Sequence, residues 1–144
     1  SQDDIVASEM HLPVDQKVLI KMRSQDVIHS AYFPLFRAQM NVVPGMVTQY
    51  AITPTITTKE MRERDYMRDK VETINDYRRS ESEKLAILGE EGLDDYKFDY
   101  FVLCNKVCGT SHYNMQMKII VEEQDEFEEW LAQQETFGES MEKN

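Results

Sequence analysis

The sequence predicts an all-β fold interrupted by a helical insertion and closed by a short C-terminal helix. Three observations carry this. Short runs of β-branched and aromatic residues, separated by proline-marked turns, fill the first half and return after residue 97. Between them, over roughly 58–90, the apolar spacing changes from alternation to helical period. Near the end, Phe127, Trp130 and Leu131 again recur at helical spacing. The 144 residues suffice for one domain with its own core.

Each element has a local cause. Val18–Arg23 reads as a strand with Val18, Ile20 and Met22 on one face, and Thr48–Thr53 as a second. Pro13, Pro34, Pro44-Gly45 and Pro54 mark the turns between such runs. Thr57 and Glu60 have capping-box spacing, and Met67, Val71 and Ile74 follow as one apolar stripe. A second box, Ser80 to Glu83, opens a shorter helix with Leu85 and Leu88, stopped at Gly89. The region 58–90 is thus a helical hairpin or bent helix inserted between strands. Phe98–Leu103 is a strand leading straight into Cys104. Met115, Met117, Ile119 and Val121 alternate with Gln116, Lys118, Ile120 and Glu122, a strand with one buried face. Asp125 to Glu128 is a third capping signal, for the terminal helix. The expected organisation is one domain over 1–137, with 58–92 as its insertion and 138–144 as a flexible tail.

Composition excludes several functions. The formal net charge is −11, which argues against nucleic-acid binding, since phosphate needs a basic face. Acid can steer a basic partner or simply maintain solubility. No apolar run approaches the ~20 residues of a membrane span. No signal peptide is recognisable, and the opening Ser1-Gln2-Asp3-Asp4 without Met is expected of a soluble piece cut from something larger.

Chemistry concentrates between Cys104 and Met115. This stretch holds the only two cysteines, Cys104 and Cys108, with His112 and Met115. Thiolate, imidazole and thioether form a soft ligand set that suits copper. Lying between two strands, the stretch is a loop that can curl its ligands around a point, and Gly109 permits the reversal. A lone CxxxC disulfide would close a very short loop and add little stability. Mononuclear blue copper uses one Cys and two His, whereas here there are two Cys. The second histidine must come from elsewhere: His29, at the end of the strand beginning near Val18, or His11, which reads as structural or surface. Zinc could take Cys2His2, leaving Met115 idle and departing from zinc-finger spacing. Two thiolates can instead bridge two coppers, each completed by one histidine. Met22, Met40 and Met117 read as core fillers.

The sequence resembles the copper-A domain of cytochrome c oxidase subunit II. The resemblance rests on Asp26-Val27-Ile28-His29-Ser30, on Val43-Pro44-Gly45, and on C-x-x-x-C-G-x-x-H-x-x-M from Cys104 to Met115, in that order. It covers most of 3–57 and 97–137. It implies a cupredoxin-like Greek-key sandwich or barrel holding a binuclear, mixed-valence copper centre. By position, Cys104 and Cys108 would bridge both coppers. His29 and Met115 would complete one copper, and His112 with the backbone carbonyl of Lys106 the other. The implied role is electron transfer from a c-type cytochrome to the haem of oxidase subunit I, with His112 facing subunit I. The implied location is the periplasmic face of the bacterial cytoplasmic membrane, anchored by N-terminal helices that this sequence does not contain.

The chain also departs from the family. Lys106 stands where Glu, which helps bind magnesium, is usual, so that second metal site is in doubt. Asn41 replaces the usual Asp before the VPG turn, and the insertion is far longer than the usual connection. Within the class, the copper-A domain of nitrous oxide reductase is an alternative. From other classes, a copper chaperone or metal-storage protein and a structural zinc module remain open.

Overall fold

The computed structural model describes residues 2–142, and the chain divides into two compact units: 2–57 with 100–142, and Thr58–Asp99. The first unit is the β domain. Its strands are β1 (Met10–Pro13), β2 (Val18–Met22), β3 (His29–Phe33), β4 (Ala38–Val42), β5 (Thr48–Ile52), β6 (Tyr100–Cys104) and β7 (Gln116–Glu122). Five form a mixed sheet in the order β1-β7-β6-β3-β4, while β2 and β5 form a separate antiparallel pair. Only the β1–β7 pairing is parallel. This is the curled, cupredoxin-like arrangement expected from the sequence.

The core follows from alternation. Along β7, Ile119 and Val121 are buried while Gln116 is exposed. Burying side chains of this size stabilises by about 1.5–3 kcal/mol each. β2 and β5 form where expected, and Ile20 and Ile52 are their buried members. Three strands, β1, β3 and β4, were not singled out in the sequence. β1 is short and ends on a proline, and β4 holds the alternating Gln39 and Asn41. β1 and β4 are stabilised by pairing with other strands rather than by their own composition.

His29 required a correction. The expectation placed it at the end of the strand beginning near Val18, but β2 stops at Met22 and His29 opens β3 in the other sheet. The polar turn between them is held by Ser24 Oγ, which donates to the Val27 carbonyl and to Asp26 Oδ1.

In the second unit, α1 (Thr58–Glu63) starts directly after Thr57, and α2 (Asp65–Ile87) follows a single extended residue, Arg64. The bent-helix expectation is met, but the bend is at Arg64 and Ser80 opens no new helix. No Gly or Pro interrupts the chain there, so a polar run alone does not stop helix propagation. Instead, Ser82 Oγ accepts from the Leu93 amide at 2.8 Å. Gly89 (φ +76) ends α2 as anticipated. Its N–H donates to the Ala86 carbonyl at 3.1 Å, and Glu90 N–H donates to Leu85 at 3.0 Å. A Cβ at Gly89 would meet nothing within 4 Å, so the cost of Gly89→Ala is conformational alone. That substitution is expected to destabilise the helical unit by about 1–2 kcal/mol, read as a lowered urea midpoint of its helical signal. The return segment lies along α2. Asn75, buried, accepts from the Tyr96 amide at 2.6 Å and donates to the Tyr96 carbonyl at 3.1 Å. Arg62 donates to the Phe98 carbonyl and pairs with Asp99.

The C-terminal helix α3 (Gln124–Ala132) is capped two residues earlier than Asp125 suggested, by a box between Glu123 and Glu126. Trp130 stacks on His11 at 4.0 Å, and His11 Nδ1 lies 2.7 Å from Glu122 Oε1, so His11 has the structural role read from the sequence. Beyond it, α4 (Phe137–Glu142) replaces the expected flexible tail, of which Lys143 and Asn144 lie outside the described residues. Thr136 and Glu139 cap it reciprocally, and the Phe137 and Gly138 amides donate to Asp4 and Gln2.

Candidate metal centre

The backbone builds the centre from two places. β6 ends at Cys104, whose N–H donates to the Met115 carbonyl at 3.0 Å and closes the loop at the start of β7. Within it, Gly109 takes φ +142, a value L residues rarely adopt, and its carbonyl accepts from the His112 amide at 3.2 Å. A 3-10 turn over His112–Asn114 then aims His112 back toward the cysteines. β3 pairs antiparallel to β6 with Ala31 opposite Cys104. Side chains two apart on a strand share a face, so His29 projects on the same side as Cys104.

All six predicted groups converge. His29 Nδ1 lies 3.9 Å from Cys104 Sγ, and the two sulfurs are 3.6 Å apart. The Lys106 carbonyl is 3.3 Å from Cys104 Sγ. His112 Nδ1 is 3.5 Å and Met115 Sδ 3.2 Å from Cys108 Sγ. The cysteines are free thiols, well beyond disulfide bonding distance of about 2.05 Å. Sulfurs this close can reach one ion together at metal–thiolate distances near 2.3 Å. His29 and Lys106 flank one sulfur while His112 and Met115 flank the other, so the donors surround the sulfur pair. A donor set of thiolates, imidazoles, a thioether and a carbonyl fits copper.

Asp26 fixes the imidazole of His29. His29 Nε2 donates to Asp26 Oδ1 at 2.7 Å, leaving Nδ1 to face Cys104. Ser30, next to His29, is buried and accepts from Gln39. The i−3 spacing of Asp26 from His29 is the signal in sequence that points to it. The hydrogen bond to His29 holds the Asp26 carboxyl near 2, and Asp26 followed by Cys104 raises the His29 imidazole. Without metal, the aspartate's contribution to stability is present above its ordinary value of 3.8 and lost as pH falls through about 2. The histidine's contribution is present below 6.5 and lost as pH rises through its raised value. Burial pushes the Cys104 thiol up. Backbone hydrogen bonds at Ser30 and Lys106, with His29, outweigh it and bring it down to about 6. Cys108 is raised by burial and by the neighbouring Cys104.

Removing the carboxylate, in Asp26→Ala, is expected to weaken metal binding by about 10–100-fold in chelator competition. Metal binding also requires thiol protons to leave. Loading is therefore expected to fall as pH drops through about 6, where Cys104 regains its proton. Copper per chain measured across pH 4–8 checks this.

A curled β domain with two thiols, two imidazoles and a thioether gathered at one end is a cupredoxin-like domain with a candidate metal centre. Residues 4–60 match the family model described as the periplasmic domain of cytochrome C oxidase subunit II. The alternative cytochrome c oxidase subunit 2 of Bradyrhizobium diazoefficiens is 34% identical over 139 residues, covering 95% of this chain and 36% of that protein. The solved periplasmic domain of subunit II of cytochrome oxidase from Bradyrhizobium japonicum has a similar fold, with TM-score 0.55 and 19% identity. That match covers 86% of this chain and 61% of the other. A solved mixed disulfide between a thioredoxin-like protein and subunit II gives TM-score 0.51 at 18% identity, covering 86% and 59%. The chain is a domain of the cytochrome c oxidase subunit II family, and it spans about a third of the length of the Bradyrhizobium diazoefficiens relative.

Proposed function

We propose that this domain carries electrons for a terminal oxidase through a binuclear copper centre at the periplasmic face. The observation that supports this is the convergence of His29, Cys104, the Lys106 carbonyl, Cys108, His112 and Met115, with Cys104 and Cys108 side by side. Bound copper supplies one-electron redox chemistry. The chain would supply its ligands: the thiolates of Cys104 and Cys108, with His29 and Met115 for one ion, and His112 and the Lys106 carbonyl for the other. The pairing of β3 with β6 and the hydrogen-bonded base of the loop hold these groups in place in both redox states. The proposed donor is a c-type cytochrome and the acceptor is subunit I haem. The net charge of −11 favours a basic donor, and electron uptake from it is expected to slow as salt rises.

Reconstitution under anaerobic conditions with Cu(I) and Cu(II) tests the reading. The expected product is purple, holds two coppers per chain, and shows EPR hyperfine structure from one electron shared between two nuclei. A single copper, or a colourless zinc-only protein, overturns it.

The thiols must also be reduced before loading. The mixed disulfide described above shows such exchange for a relative, and here the sulfurs are 3.6 Å apart. Oxidised protein is expected to take up no copper until a thioredoxin-like reductant restores both thiols. Thiol titration alongside copper content checks this.

A further inference from the structure

The β unit contains a cleft of about 610 Å³ beside the metal loop. Four of the chain's nine methionines line it: Met10, Met22, Met115 and Met117. They come from three strands or their ends. Met10 lies on β1, Met22 ends β2, and Met117 lies on β7 two residues after Met115. Alternation along β7 puts Met117 on the same face as Met115. Met10, Met22 and Met117 are half-buried, unlike the fully enclosed Met61 and Met67 of the helical unit. The core-filler reading of Met22 and Met117 fits a closed interior better than the wall of a cleft.

The cleft meets the metal centre on one side only. His29, Cys104 and Met115 line it, whereas Cys108, His112 and Lys106 do not. The remaining wall mixes apolar residues, Ile20 and Phe33 among them, with the polar Ser24, Gln25, Ser30, Asn114 and Gln116. Neutral thioethers select Cu(I) over the hard cations that oxygens prefer. Lys21 and Arg23 also line it, opposed by Asp26, and added positive charge penalises a divalent ion more than a monovalent one.

We infer that the thioethers of Met10, Met22 and Met117 form an entry site for monovalent copper that passes the ion to Cys104, His29 and Met115. This rests on the copper reading above. The exchange changes no oxidation state: the thioether bonds to Cu(I) break, bonds to the Cys104 sulfur and His29 nitrogen form, and the displaced protons go to solvent.

The test separates entry from the final centre. In a Cys104→Ser/Cys108→Ser protein, Cu(I) supplied with a chromophoric chelator is expected to bind at one ion per chain. X-ray absorption should report sulfur donors, although both thiols are gone. Adding Met10→Leu, Met22→Leu and Met117→Leu, which conserve volume, should reduce that sulfur signature to what Met115 alone can give. Each single Leu substitution should weaken Cu(I) retention, which keeps the test valid if the triple variant folds poorly. In the protein with both cysteines, the triple Leu substitution should slow copper loading and let a one-copper species accumulate. Met40→Leu, outside the cleft, should load at the unmodified rate. The inference is overturned if the thiol-free protein binds no Cu(I), binds it through nitrogen alone, or if the Leu variants load unchanged. Failure of the unmodified protein to form any two-copper centre would instead overturn the copper reading, whatever the thiol-free protein binds.

Discussion

Cys104→Ser is expected to abolish the proposed two-copper centre, reducing copper to at most one per chain and removing the visible absorption. Cys104, like Cys108, faces three of the other ligand groups. Its sulfur faces His29 Nδ1, the Lys106 carbonyl and Cys108 Sγ, at 3.9, 3.3 and 3.6 Å. Serine offers a harder oxygen that suits copper poorly, so one bridge is lost and the remaining sulfur cannot share an electron between two metals. The fold should survive, because Cys104 is only partly buried and its backbone bond to Met115 does not involve the side chain. Copper content and EPR check the prediction, with thermal melting of the metal-free protein as the control. A delocalised two-copper signal from the serine variant would mean that Cys104 is not a bridge.

Phe33→Ala is expected to have the largest effect on stability, about 3–5 kcal/mol. Phe33 is 1% exposed at the end of β3 and meets Phe36 edge-on at 6.3 Å. Small domains are stable by about 5–15 kcal/mol in total, so the loss is a large fraction. The effect should reach the metal. β3 carries His29 and pairs with both β4 and β6, so loosening it moves one imidazole relative to the loop. Urea denaturation of the metal-free protein, with copper affinity measured in parallel, tests both parts. Leu35→Ala, 46% exposed, is the comparison and is expected to change stability by less than about 0.5 kcal/mol. A Phe33→Ala cost as small as that would contradict the assigned core.

Much of the fold was legible where one pattern governed. The alternation from Met115 to Val121 gave β7 and its buried face, and Gly89 gave the end of α2. Legibility ended where tertiary partners decide. β1 is short and carries Pro13, yet its pairing with β7 makes it a strand. The Ser80 capping box looked like a helix start, but nothing broke the preceding helix, so Ser82 instead held the return segment. The tail after Gly138 looked loose because its partners, Gln2 and Asp4, lie at the other end of the chain.

The candidate site divides in the same way. Cys104, Cys108, His112 and Met115 were readable because the ligands of a loop are neighbours in sequence, and the chemistry of their atoms does not depend on the fold. The sequence alone therefore determined which donors exist and that they suit a soft metal. Only the tertiary structure decided their meeting. Pairing of Ala31 with Cys104 carries His29 across 75 residues to the thiols, and Asp26 then turns its Nδ1 toward them. The cleft beside them was equally invisible. Met10, Met22 and Met117 are far apart along the chain, and only strand packing brings them to one wall.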